Sequence, residues 1–130
     1  VDVNNGFEYG ELPSSGSLSQ LSDLTSLQEL RVVASGLTDD CLPAINQLRQ
    51  LRKLDLSSNS ITDSGVSCLR NLNRLNALKL DFTHVTGEGL VQLPYYNNIT
   101  LVSVIGSPAD DLDGDWYRRR GFRPPENSNR

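Results

Sequence analysis

Apolar residues follow two alternating rhythms along this chain. From Leu51 they stand at Leu51, Leu54 and Leu56, then at Ile61, then at Val66, Leu69 and Leu72. The first group, with polar residues between its members, predicts a short strand whose alternate side chains enter a core. The second group, at steps of three, predicts a helix or a series of helical turns with one buried face. The same order starts at Leu27 and Leu75, so LQELRVVASGLTDDCLPAINQLRQ, LRKLDLSSNSITDSGVSCLRNLNR and LNALKLDFTHVTGEGLVQLPYYNN align without gaps at a period of 24. A fourth copy begins at Ile99 and keeps Val102 and Val104, while Leu18, Leu21 and Leu24 stand one period before Leu42, Ile45 and Leu48 as a degenerate first copy. Between strand and helix, Thr38 with Asp39 and Thr62 with Asp63 predict helix N-caps, because their side-chain oxygens accept otherwise unpaired backbone N–H groups.

One such unit cannot bury its own apolar face, so neighbours must stack into a continuous core with covered ends. The phrase LxxLxLxx followed by Asn, Ser or Thr and then by ITD or VTG resembles a leucine-rich repeat over about residues 12–110. LDLSSNSITDSGVSCL, echoed as LRVVASGLTDDCLPAI, is similar to the cysteine-containing and ribonuclease-inhibitor-like branch. The resemblance implies a short right-handed α/β solenoid with a parallel concave sheet, a helical or irregular convex side and N- and C-terminal caps. It also implies protein partners, with F-box ubiquitin-ligase adaptors among the relatives, although an F-box identity would require upstream sequence. Ser35, Thr83 and Ser107 stand where Asn59 stands in its repeat, so shorter hydroxyls replace the amide in the buried hydrogen-bond ladder. We expect an N-terminal cap at 1–17 with Phe7 and Tyr9 as anchors and repeats over 18–109. A C-terminal cap at 110–123 follows, holding Trp116, Tyr117 and Phe122, then a disordered tail at 124–130.

Side chains alternate along a strand, so residues between the core leucines face the concave surface. The rows are Glu29, Arg31 and Val33; Lys53, Asp55 and Ser57; Ala77, Lys79 and Asp81; and Leu101, Ser103 and Ile105. Arg31, Asp55 and Lys79 form an alternating-charge ladder with Glu29 beside Lys53, and Phe82, Leu101 and Ile105 supply apolar anchors at one edge. Four strands span only about 15 Å, while a standard interface takes about 800 Å² from each partner. The expectation is a non-catalytic protein-interaction module, a small subunit or adaptor docked in a larger assembly. An extracellular recognition domain for protein or carbohydrate and a substrate-receptor fragment of an F-box-type adaptor are the alternatives.

Composition narrows the remaining chemistry. The 130 residues are 37% hydrophobic and 22% charged, the range of one globular domain. No apolar run reaches membrane-spanning length. The chain starts at Val1 without any methionine, which reads as a processed product or a piece of a longer chain. Sixteen acidic against twelve basic residues give a net charge of -4 and argue against a nucleic-acid surface. Membrane and small-molecule partners are also disfavoured, and no cofactor is expected. Two cysteines, Cys41 and Cys68, are too few for a disulfide scaffold and give a mild preference for a reducing, intracellular setting.

Catalysis finds little support. The single histidine, His84, lies about 10 Å in strand spacing from Cys41 and one repeat from Cys68, which is on the helical side, so no nucleophile and base converge. DLDGD at Asp111 begins like a calcium loop, but Trp116 replaces the turn glycine and Phe122 the bidentate glutamate. Asp111, Asp113 and Asp115 therefore remain only a weak calcium candidate. Arg118, Arg119 and Arg120, interleaved with Trp116 and Tyr117, form a secondary candidate contact for an acidic partner surface, and Asn98 opens an N-x-T glycosylation triplet.

Overall fold

The computed structural model describes residues 25–126 and, ahead of them, the backbone of 7–9. Among the described residues five strands form one parallel sheet in chain order: β1 (Phe7–Tyr9), β2 (Glu29–Val32), β3 (Lys53–Asp55), β4 (Ala77–Lys79) and β5 (Leu101–Ser103). Leu30 pairs with Leu54, Leu54 with Leu78 and Leu78 with Val102, which is the 24-residue period expressed as strand register. The strand β1 is one more than the leucine pattern predicts, because FEY carries alternation without leucines and pairs Phe7 with Leu30 at an offset of 23. The sheet is thus about 19 Å wide at the usual strand spacing. The side chains of residues 1–24, including the expected anchors Phe7 and Tyr9 and the degenerate copy at Leu18, Leu21 and Leu24, lie outside the described residues.

The strands β2, β3 and β4 each return through a convex segment with one short α-helix: α1 (Leu42–Ile45), α2 (Asp63–Val66) and α3 (Gly87–Val91). The helices are only four or five residues long. Beyond Val66 the chain continues in single turns, with the Leu69 N–H bonded to the Val66 carbonyl and Leu75 to Leu72. The step-of-three spacing is thus carried mostly by successive turns, and Val66, Leu69 and Leu72 are all fully buried. They join Leu51, Leu54, Leu56 and Ile61 in one core that runs the length of the array. Burying such a side chain stabilises by about 1.5–3 kcal/mol.

The predicted N-caps are only partly realised. Thr62 accepts the Ser64 N–H at 3.2 Å, but Thr38 and Thr86 make no side-chain cap. The aspartates instead hook forward onto the next repeat: Asp39 accepts the Thr62 N–H at 2.8 Å and its hydroxyl at 2.5 Å, and Asp63 does the same for Thr86. Gly65 and Gly89 make room for these hooks, since a Cβ there would sit 2.2 Å from Asp39 Oδ1 and 2.1 Å from Asp63 Oδ1. In the third repeat the hook is missing. Gly87 stands in its place, and a Cβ at Gly87 would meet Leu112 at 2.4 Å and the Trp116 ring at 2.8 Å.

Strand exits share a second device. Ala34, Ser58, Phe82 and Gly106, spaced by 24, all adopt left-handed backbone at φ 53, 60, 55 and 74°. The N–H groups of the first three reach the carbonyls of Ser57, Asp81 and Ile105 in the following repeat, so the bend retains its cross-repeat hydrogen bond. Glycine adopts this region freely, whereas a bulky side chain there costs about 1–3 kcal/mol.

Past β5, the helix α4 (Gly114–Arg119) covers the last repeat, with Asp113 Oδ1 accepting the Trp116 N–H at 2.8 Å. Tyr117 stacks parallel to Tyr96 at 6.5 Å, and Phe122 meets Tyr96 edge-on at 5.5 Å. The expected free tail gives way in its first three residues: Pro125 is buried, and the Glu126 N–H bonds the Val102 carbonyl at the outer edge of β5. Residues 127–130 lie outside the described residues.

Burial pushes the Tyr95 and Tyr96 phenols above their ordinary range, and Tyr117 up to about 12, through desolvation and then the nearby Asp110 charge. Above pH ~10 the unfolded chain loses phenolic protons that the folded chain keeps, so stability falls as pH rises. Equilibrium unfolding followed across that window should show the decline. Tyr95→Phe should flatten it by about 1.4 kcal/mol per pH unit, the linkage value for one such proton, and an unaltered slope would contradict this assignment.

Candidate functional site

The predicted concave grid assembles, but as two separate features. An open groove of about 460 Å³ is lined by Glu29, Arg31, Lys53, Asp55, Ala77, Lys79 and Leu101. Each charged row arises from strand register: Glu29 lies opposite Lys53, Arg31 opposite Asp55, and Asp55 opposite Lys79. Only part of the expected charge ladder closes. Arg31 Nε lies 3.8 Å from Asp55 Oδ2, while Asp55 Oδ1 accepts the Ser57 N–H at 3.1 Å. Among the described residues, neither Lys53 nor Lys79 has a carboxylate within 4.0 Å. Both lysines are exposed on the groove wall, whereas the Asp55 side chain is 15% exposed.

Asp81 and Ser103 do not line the groove. Asp81 Oδ1 accepts the Ser103 hydroxyl at 2.6 Å and the Ile105 N–H at 2.8 Å, so this carboxylate braces the next strand exit. Val33 and Ser57 also fall outside the groove lining. Phe82 and Ile105 are the large apolar residues left exposed among the described residues, at 63% and 45%. Phe82 turns away from the groove to line a second hollow of about 510 Å³ with His84, Gly106, Pro108, Asp110 and Asp111. Leucine spacing assigns strand faces but says nothing of the left-handed bend that redirects position 82.

The C-terminal candidate contact requires correction. Tyr117 is fully buried, with its hydroxyl directed at the Ala109 carbonyl at 3.4 Å, so it cannot meet a partner. Trp116 packs on the core and edge-on to Tyr117, beneath the Arg120 guanidinium at 4.0 Å. Arg120 also lies 3.6 Å from Glu88, and Arg118 pairs with Asp115 at 2.7 Å. Arg119 remains exposed. The basic-aromatic pattern thus chiefly closes the end of the core.

The calcium candidate does not assemble either. Asp113 caps α4, Asp115 is paired with Arg118, and among the described residues no three histidine, cysteine or acidic side chains converge as a metal site. Cys41 is buried and Cys68 half-buried, both as free thiols. His84 is exposed, and Asn98 is exposed in the turn Tyr96–Asn98.

Residues 25–85 match the leucine rich repeat family model. A crystal structure of an internalin from Listeria monocytogenes is similar to this chain with a TM-score of 0.66 and 27% sequence identity, over 79% of this chain. The chain spans 29% of the length of that internalin chain. Among curated proteins none matches significantly. The fold is that of a leucine-rich-repeat solenoid. Domains of this kind are commonly non-catalytic and bind proteins.

Proposed function

We propose that this leucine-rich-repeat chain is a non-catalytic protein-binding module, a small subunit or adaptor in a larger assembly, whose concave groove makes the contact. One observation carries the reading: Lys53 and Lys79 stand exposed in an open groove without an ion-pair partner among the described residues, beside the apolar Ala77 and Leu101. Unpaired charge around an apolar centre is what an interface uses for orientation and specificity. Residues 110–123 act as the cap of this array. The phrases ITDSGV and LTDDCL, on a 24-residue register, support the cysteine-containing, ribonuclease-inhibitor-like subtype.

Affinity capture from the source cells followed by native mass spectrometry should identify a stoichiometric partner. Titrating that purified partner against Asp55→Ala combined with Lys79→Ala should then show binding weakened by about tenfold. The fold should persist because neither side chain belongs to the apolar core, with the melting temperature lowered only by the loss of the Asp55 bonds to the Ser57 N–H and Arg31. Full affinity in the double variant would rule out recognition by the groove.

A second reading, an extracellular recognition domain for protein or carbohydrate, draws on the exposure of Asn98 in its N-x-T triplet. An intact mass carrying a glycan on Asn98 would favour it over the intracellular subunit.

A further inference from the structure

Phe82 is the one bulky side chain at the left-handed strand exits, where the other repeats place Ala34, Ser58 and Gly106. It is 63% exposed, so its ring adds little to the core. A strained backbone position occupied by an exposed aromatic residue points from conformation to function. The ring is also held in place. A Cβ on Gly106 would fall 2.5 Å from Phe82 Cδ1, so the glycine lets the ring rest against the next exit. The Phe82 N–H bonds the Ile105 carbonyl at 2.7 Å, while Asp81 holds the Ile105 N–H.

Beneath that ring the hollow is acidic. Asp110 is buried and accepts the Gly106 N–H at 3.1 Å, and Asp111 stands exposed at the end of the turn Pro108–Asp111. Among the described residues, no lysine or arginine lines the hollow. An aromatic face beside carboxylates attracts a cation through the ring quadrupole and through charge together. The groove differs in being mixed in sign, with Glu29 and Asp55 set among Arg31, Lys53 and Lys79.

We propose that this hollow is a second contact site, which takes an arginine side chain from a basic segment of a protein partner. The guanidinium lies on the open face of Phe82 and hydrogen-bonds Asp111, with Asp110 adding negative charge from below. Arginine suits the site better than lysine because its planar group stacks and donates two hydrogen bonds at once. Ile105 offers an apolar contact to the neighbouring residue of the segment.

The test is an NMR titration with N-acetyl-arginine amide, with the uncharged N-acetyl-citrulline amide as control. Arginine should shift the Phe82 ring, Gly106 and Asp111 signals saturably, while the citrulline compound should not. Phe82→Gly removes the ring yet suits the left-handed backbone, and Asp111→Asn removes the charge at constant shape. Each should weaken arginine binding by about two- to fivefold. Asp55→Ala with Lys79→Ala should leave it unchanged, so a failed hollow and a failed groove give different results. The proposal is overturned if no saturable shift occurs, if citrulline binds equally, if shifts scatter to Asp40 and Glu88, or if both hollow variants bind like the parent.

Discussion

Replacing Asn59 by alanine is expected to cost about 3–5 kcal/mol of folding stability, a large share of what a domain of this size possesses. The reason is the number of backbone groups that one amide satisfies. Its Nδ2 donates to the carbonyls of Val32, Leu56 and Ser57 at 2.7, 3.0 and 3.1 Å. Its Oδ1 accepts the N–H groups of Ser35 and Leu37, both at 3.0 Å. Losing a partner for a buried donor costs about 1–3 kcal/mol each, and here two donors lose theirs together. Asn59→Ser should fall between the parent and alanine. The hydroxyls of Thr83 and Ser107 bond carbonyls of their own repeat, Leu80 and Val104, and do not reach the preceding one. Urea unfolding of the three proteins tests this order, and a loss below about 1 kcal/mol for alanine would show that solvent or a local shift replaces the amide.

Gly89→Ala is the second large effect, expected at about 2–4 kcal/mol. Ala is ordinarily the better helix former by about 1 kcal/mol, so the sign itself is diagnostic. At this position the new methyl would lie 2.1 Å from Asp63 Oδ1 and 2.6 Å from its Cγ. That carboxylate is pinned by the N–H and hydroxyl of Thr86 and cannot retreat without surrendering both bonds. With Asp63→Ala already present the obstacle is gone, and Gly89→Ala should become neutral or stabilising. A double-mutant cycle measures the coupling directly. A cost for Gly89→Ala that persists unchanged in the Asp63→Ala background would place the strain elsewhere.

These two cases mark where the sequence is legible. Leu30, Leu54, Leu78 and Val102 occupy the register that the 24-residue spacing predicts, because strand alternation and core burial are properties of each segment alone. The Asp63 hook links residues 23 positions apart, and its local appearance is that of an ordinary helix cap. Only stacking the repeats places Thr86 in front of it. Phe82 illustrates a different gap: alternation puts it beside the concave face, but the left-handed exit at φ 55° turns it toward another hollow. Tyr117 is hidden by its arginine neighbours, since a basic-aromatic run is compositionally the same whether its rings face solvent or the last repeat. The burial of Tyr96 opposite it follows from packing across 21 residues, which no local pattern encodes.

The forward hooks also bear on how such a chain could lengthen by duplication. A copy of residues 51–74 inserted after Arg74 would carry its own Thr and Asp, so both junctions of the inserted copy would find donor and acceptor in place. Duplicating 75–98 would present Gly87 to the next threonine and leave that junction without its carboxylate. The same glycine is what Trp116 packs over, so the third repeat has exchanged the capacity to be followed by its own kind for a fit to the end piece. Growth of the array is therefore permitted in its interior and closed at its C-terminal end.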